Sequence, residues 1–153
     1  MENKDEKSIF STFIPLLLSC QQDQMREISA TDADIVARSM KFITLSQSIG
    51  KFKKMGLKLP KIKKAFFDEL DIIYDIPEKI SYAFLDGDLY QSIKTSLNLV
   101  SSKMSQGGVI IVHDYNNPEL PGSARAVDEW LKSHQAKITS FRVAETLAII
   151  YCA

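Results

Sequence analysis

The sequence predicts an α/β fold, in which helices pack on a small, mainly parallel sheet that a pair of antiparallel strands closes. Three observations support this prediction. From about residue 60 onward, short apolar segments rich in β-branched and aromatic residues alternate with apolar residues at helical spacing. Glycine, proline and asparagine separate these segments. The hydrophobic fraction of 45% is high enough for a chain of 153 residues to bury one core.

The first part of the chain, residues 1–58, is predicted to be a helical N-terminal segment. Residues 31–34 read Thr-Asp-Ala-Asp, a pattern that commonly starts a helix because it places an acidic side chain three positions after a capping threonine. Apolar residues then follow on one helical face: Val36, Met40 and Ile43. The rest of the chain, residues 59–153, is predicted to form the α/β part.

The α/β part begins with a strand and a helix. Ile80–Leu85 is a β-prone apolar run that stops at Asp86, Gly87 and Asp88. An apolar stripe at helical spacing follows: Leu89, Ile93, Leu97, Val100 and Met104. We expect Gly107 and Gly108 to end this helix by adopting positive φ angles.

A second strand and helix come next, and a strand pair closes the sheet. Residues 109–112 are all β-branched, which predicts a strand buried on both faces, and this strand stops at His113 and Asp114. A helix is then indicated by apolar residues at helical spacing: Ala124, Val127 and Leu131. Residues 138–143 and 146–151 are predicted to pair as antiparallel strands.

Charge and composition exclude several classes of function. The 19 basic and 19 acidic residues cancel, so no overall field favours nucleic acid or an acidic membrane as a partner. The two cysteines lie far apart, which argues against a disulfide framework or a cysteine zinc site. The apolar residues 9–20 are too few to span a bilayer, and acidic residues precede them where an export signal is basic. We therefore expect a cytoplasmic protein.

Polar side chains follow both predicted parallel strands at the point where each strand ends. Asp86 and Asp88 follow the first strand, and His113 and Asp114 follow the second. Ligands in such sheets bind beyond the carboxyl ends of the strands, so we expect these four side chains to form one site. The alternative is that the aspartates merely cap helices, as aspartates after a strand commonly do.

Carboxylates that converge in this way repel one another unless a cation neutralises them or one of them keeps a proton. Oxygen ligands suit Mg²⁺, Ca²⁺ or Mn²⁺, whereas an added imidazole favours Mn²⁺, iron or Zn²⁺. Such a cation lowers the pKa of a nearby hydroxyl, and a free carboxylate can accept its proton. The residues alone therefore indicate activation of an alcohol or of water, without saying what the oxygen attacks.

Three blocks of sequence resemble the macrocin O-methyltransferase family (TylF and MycF type). They are residues 76–90, which include Leu-Asp-Gly-Asp-Leu-Tyr, residues 107–115, and residues 121–129. The resemblance covers the C-terminal 90 to 100 residues or so and implies an incomplete Rossmann-like, class I methyltransferase fold. It also implies S-adenosylmethionine as methyl donor, Mg²⁺ in the site and a sugar or similar hydroxyl as acceptor.

The same resemblance implies roles for individual residues. Asp86 corresponds to a metal ligand of the family and Asp88 to its proposed general base. The family commonly has two aspartates after the next strand, both of them metal ligands. Asp114 matches the second of them, whereas His113 replaces the first. His113 can still bind a metal as neutral imidazole, but it changes the expected metal preference.

The chain departs from the family in the half that binds the cofactor. Class I methyltransferases have a glycine-rich loop after their first strand, because the backbone approaches the cofactor closely there. No glycine precedes Gly50 in this sequence, and no two glycines are spaced Gly-x-Gly. The sequence therefore identifies no cofactor-binding residue, and it predicts that binding of S-adenosylmethionine by this chain is altered or lost. Residues 61–67 would correspond to the family's third strand.

Two classes of function follow. The first is a metal-assisted sugar O-methyltransferase that is shortened in its cofactor-binding half. The second is a non-catalytic remnant or interaction module that has lost the cofactor. In either case the strand Ile80–Leu85 lacks the neighbour it has in the family, so Tyr82 and Phe84 lie at an exposed edge. Either the N-terminal helices cover this edge, or two copies of the chain pair there as a homo-oligomer, or the chain is a fragment of a longer protein.

Overall fold

The computed structural model describes residues 45–63 and 65–153. The predicted helix start at residues 31–34, the stripe from Val36 to Ile43 and the apolar residues 9–20 lie outside these residues. In chain order the elements are α1 (Leu45–Lys54), β1 (Ile80–Leu85), α2 (Tyr90–Ser101), β2 (Met104–Val112), α3 (Pro121–Ser133), β3 (Ile138–Ala144) and β4 (Leu147–Cys152). Short 3-10 helices cover Phe67–Glu69 and Gln135–Lys137.

The four strands form one mixed sheet in the order β1-β2-β4-β3. β1 and β2 are parallel, while β4 is antiparallel to both of its neighbours, β2 and β3. The predicted α/β fold with a closing antiparallel pair is therefore confirmed. Within the described residues β1 is at the edge of the sheet, as expected, and Tyr82 and Phe84 on it are half-buried.

The core lies between one face of the sheet and the two helices that follow β1 and β2. α2 packs against β1, β2 and α3. Its fully buried apolar side chains, Ile93, Leu97 and Val100, belong to the stripe that the sequence shows. Burying a side chain of this size contributes about 1.5 to 3 kcal/mol, so this stripe fixes α2 on the sheet.

The prediction that residues 109–112 are buried on both faces is wrong in part. Ile110 and Val112 are fully buried, whereas Val109 and Ile111 are only half-buried. β4 alternates in the same way, with Ala148 and Ile150 fully buried. Successive side chains of a strand point to opposite faces, so one face of this sheet is packed more tightly than the other.

The end of α2 also differs from the prediction. The helix ends at Ser101, and Gly107 and Gly108 lie inside β2 instead of closing the helix. Gly107 does adopt a positive φ of 73°. The positive φ serves an irregularity in the strand pairing, where the register shifts between Ile80 and Tyr82 of β1. The β-branched residues 109–112 therefore correspond only to the part of β2 that pairs regularly with β1, and the strand itself begins earlier.

The region before β1 is mostly irregular. α1 runs through Gly50 and ends before Gly56, whose φ of 67° turns the chain out of the helix. The expected strand at residues 61–67 is wrong, because the described part of it has no strand and leads into the 3-10 helix. The boundary at residue 58 stays a prediction. Among the described residues, no helix combines the length and apolarity needed to cross a membrane.

Candidate functional site

The register of the two parallel strands places the polar residues side by side. Leu85, the last residue of β1, pairs with Val112, the last residue of β2. The backbone amide of His113 then donates a hydrogen bond of 2.9 Å to the carbonyl of Leu85. Because the two strands end together, Asp86 and His113 leave the sheet as direct neighbours.

The side chains of Asp86, His113 and Asp114 meet at this point. His113 Nδ1 lies 3.1 Å from Asp86 Oδ1 and 2.7 Å from Asp114 Oδ2. One possible ligand atom of each of the three residues lies within 4.8 Å of the others. Asp88 interacts with the Asp86 carboxyl group and so lies beside the other three. The structure thus brings together all four residues that the sequence predicted to share a site.

Asp88 and Asp114 have unusual backbone conformations. Their φ angles are 57° and 56°, in the left-handed region that non-glycine residues rarely adopt. Asparagine and aspartate tolerate this region better than other residues, and such strained positions concentrate at functional sites. Both residues are also more than nine-tenths buried. The chain therefore turns sharply at Asp88 and at Asp114, just beyond the ends of β1 and β2.

The environment of Asp86 disfavours its negative charge. Burial raises the pKa of its carboxyl group above the usual value, His113 partly offsets this, and the Asp114 carboxylate adds to it. A positive charge placed among the three side chains would relieve both the burial cost and the repulsion. Two carboxylates and one imidazole are a donor set that divalent metal ions accept. The residues present therefore fit a metal ion.

Helix α3 contacts both acidic segments, the one after β1 and the one after β2. The sequence motifs did not predict this role of α3. The hydroxyl of Ser123, a fully buried residue, donates a 3.0 Å hydrogen bond to the carbonyl of His113. Gly122 packs against the first residue of α2, Tyr90, so closely that an added Cβ would lie 2.9 Å from the Tyr90 nitrogen. The Pro-Gly-Ser sequence at the start of α3 was the available signal, since only glycine permits this approach.

The first residue beyond the acids, Tyr115, ties the second loop to the same helix. Its hydroxyl donates a 2.8 Å hydrogen bond to Asp128 Oδ1. Its backbone amide donates to the carbonyl of Thr146, next to β4. Burial raises the pKa of Tyr115 to about 12, and the Asp128 carboxylate acts in the same direction.

Replacing Tyr115 with phenylalanine is expected to lower the free energy of unfolding by about 1 kcal/mol, because one partly buried hydrogen bond is lost. An unfolded tyrosine has a pKa of about 10. The wild-type advantage should therefore be full below pH 10 and disappear as the pH rises toward 12. Denaturant unfolding of both proteins across this range measures the difference. A difference that stays constant up to pH 12 would contradict the assignment of the bond to the neutral phenol.

A separate groove among the described residues does not contain these acids. It runs along α3 and β3 and is lined by Asp128, Leu131, Lys132, Gln135, Ile138 and Phe141. Its lining offers one carboxylate and one amine, whereas the strand ends carry three aspartates, a histidine and the strained backbone. The strand ends are therefore the candidate site.

Comparison with solved structures places this architecture among methyltransferases. The O-methyltransferase NovP aligns with a TM-score of 0.66 and 20% identity, over 84% of this chain and 54% of NovP. A putative methyltransferase of Streptococcus mutans, SMU.1697c, solved with SAH, aligns with a TM-score of 0.56 and 14% identity, over 71% and 70%. A putative rRNA-methylase of Clostridium thermocellum aligns with a TM-score of 0.55 and 17% identity, over 71% and 69%. These likenesses concern the fold, and the chain spans about half the length of NovP.

No curated protein sequence matches the chain significantly. A family model described as macrocin-O-methyltransferase (TylF) matches residues 10–149. The match starts well before the motifs at residues 76–90 that carry the resemblance in the sequence. Since it covers most of the chain, it decides the family: the chain belongs to the macrocin-O-methyltransferase (TylF) family.

Proposed function

We propose that the chain is a metal-assisted O-methyltransferase that uses S-adenosylmethionine to methylate a hydroxyl of a sugar or a similar small molecule. The observation that carries the proposal is the convergence of Asp86, Asp88, His113 and Asp114 at the joined strand ends of a TylF family member. Ligands of open α/β sheets bind at this position.

In the proposed reaction Asp88 is the catalytic base. It accepts the proton of the acceptor hydroxyl while the oxygen attacks the methyl carbon of the donor. S-adenosylmethionine, when bound, would supply the methyl group, and its sulfur would keep the electron pair of the bond that breaks. Holding oxygen, carbon and sulfur in line supplies much of the rate enhancement. A buried carboxylate such as Asp88 keeps its orientation through the proton transfer.

Asp86, His113 and Asp114 are the proposed metal ligands. A bound divalent cation would supply the positive charge that makes the acceptor hydroxyl more acidic. Asn117 supports this assignment of roles, because its side-chain amide donates 3.0 Å to Asp114 Oδ1 and so fixes the orientation of that carboxylate. Hydrogen bonds of this kind around a metal ligand strengthen binding.

We further propose that the cofactor-binding half of the protein is shortened. The support comes from the glycines: none precedes Gly50, and the described glycines lie in or beside other elements. The same observation favours the second candidate, a non-catalytic module without cofactor binding. The expected partner is a small hydroxyl compound, with no role for nucleic acid. Pairing of two chains along the β1 edge stays a prediction.

Calorimetry with S-adenosylmethionine separates the candidates. Weak but measurable binding, together with transfer of a labelled methyl group to nucleotide sugars, is the result expected of the shortened enzyme. Micromolar binding would support the O-methyltransferase and would contradict the proposal that its cofactor-binding half is shortened. A protein that melts cooperatively and shows neither binding at millimolar cofactor nor transfer would support the non-catalytic module.

A further inference from the structure

We propose that the metal site of this chain selects a nitrogen-preferring transition metal ion (manganese, iron, cobalt or zinc) over magnesium, because His113 serves as a ligand through Nδ1. This inference rests on the proposed function only in that both place a metal ion at the same three residues. It concerns which ions the chain takes and why.

The position of the imidazole is the first argument. Bonds from zinc and similar ions to nitrogen or oxygen ligands are about 2.0 to 2.2 Å long, so two donors of one ion lie about 3 Å apart at right angles and about 3.4 Å apart in tetrahedral geometry. His113 Nδ1 is 3.1 Å from Asp86 Oδ1 and 2.7 Å from Asp114 Oδ2. These are hydrogen-bond contacts of Nδ1 with both carboxylates, and a metal ion held by all three groups would take the place of the shared proton with only a small change in spacing.

The backbone holds His113 in this position from both sides. Its amide nitrogen donates to the carbonyl of Leu85, and its carbonyl accepts the hydroxyl of Ser123. The ring of Phe84 is 6.2 Å from the imidazole, centroid to centroid. Because the main chain is fixed at both the amide and the carbonyl, the imidazole cannot leave the carboxylates by moving the loop alone.

The donor set decides the preference among ions. Mg²⁺ binds oxygen ligands in strict octahedral geometry and dehydrates reluctantly, so an imidazole nitrogen is a poor ligand for it. Manganese, iron, cobalt and zinc ions accept imidazole together with carboxylates, and the affinity of such sites rises from manganese through iron to cobalt. With aspartate in place of His113 all ligands would be oxygen atoms, which suit Mg²⁺. His113 adds a nitrogen ligand, which the transition metal ions bind well and Mg²⁺ binds poorly.

The test compares the wild-type chain with His113→Asp. The affinities of Co²⁺ and Mg²⁺ are measured by calorimetry for both proteins, and the ratio of the two affinities is the readout. We expect the ratio to fall at least tenfold in the variant, with Mg²⁺ binding more tightly than in wild type. His134→Gln is the matched control, because the second histidine stacks on Trp130 at the end of α3, outside the acidic cluster. Its ratio should equal that of wild type.

A second measurement needs no variant. NMR of the wild-type chain with Co²⁺ should show a strongly shifted, exchangeable imidazole proton, the signature of a histidine bound to a paramagnetic ion. Absence of that signal, or an unchanged affinity ratio in a folded His113→Asp protein, would overturn the inference. If the wild-type chain prefers Mg²⁺ while cofactor binding and methyl transfer persist, the inference fails and the proposed function stands. If cofactor binding and methyl transfer are absent but Co²⁺ binds through His113, the proposed function fails and the inference about the metal stands.

Discussion

Replacing Asp88 with asparagine is expected to slow methyl transfer by about 100- to 10,000-fold, the range that removal of a general base typically produces. Asparagine has the same shape and also tolerates the left-handed conformation that Asp88 adopts at φ 57°. The variant should therefore keep its fold and lose only the ability to accept the proton. Single-turnover transfer from labelled S-adenosylmethionine, measured with an excess of enzyme, reports the chemical step directly.

The control for this variant is Asp71→Asn. Asp71 lies outside the acidic cluster, and its Oδ1 accepts the backbone amides of Ile73 and Tyr74, which an asparagine side-chain oxygen can also do. This control should leave the rate unchanged. Equal melting temperatures and equal metal affinities in wild type and Asp88→Asn would assign the loss to proton transfer. A rate within threefold of wild type in Asp88→Asn would show that another group accepts the proton.

Replacing Gly122 with alanine is expected to lower the free energy of unfolding by about 1 to 3 kcal/mol, the usual cost of overpacking. The added Cβ would lie 2.9 Å from the nitrogen and 3.1 Å from the Cβ of Tyr90. The backbone nitrogen cannot rotate away as a flexible side chain could, so the first turns of α2 and α3 must separate. Denaturant unfolding followed by circular dichroism measures the change.

Gly50→Ala provides the opposite case. Gly50 also lies within a helix, α1, but nothing is within 4 Å of its added Cβ. Alanine is about 1 kcal/mol more favourable than glycine in a helix interior, so this variant should be as stable as wild type or more stable. The two substitutions are chemically identical, and only packing distinguishes them. Equal effects of both on the free energy of unfolding would contradict the close contact between α2 and α3.

The α/β part of the fold could be predicted from the sequence because its signals are local. The run Ile80–Leu85 and the stripe that includes Ile93, Leu97 and Val100 depend only on the order of residues and on helical or strand periodicity. The prediction of where α2 ends was wrong for a local reason as well. A glycine with positive φ ends a helix or permits a strand irregularity equally well, and only the pairing of β2 with β1 distinguishes the two outcomes at Gly107.

Three aspartates and one histidine that closely follow two strands could be chosen as the candidate site from the order of residues alone. Their arrangement was decided by the tertiary structure. The pairing of Leu85 with Val112 makes Asp86 and His113 neighbours, and Ser123 and Gly122 hold both loops from a helix that begins several residues later. Strand register and helix packing bring together residues that are distant in the chain, so a local sequence pattern cannot predict these contacts. Strand ends can be read along the chain, whereas the distances between them exist only in the folded molecule.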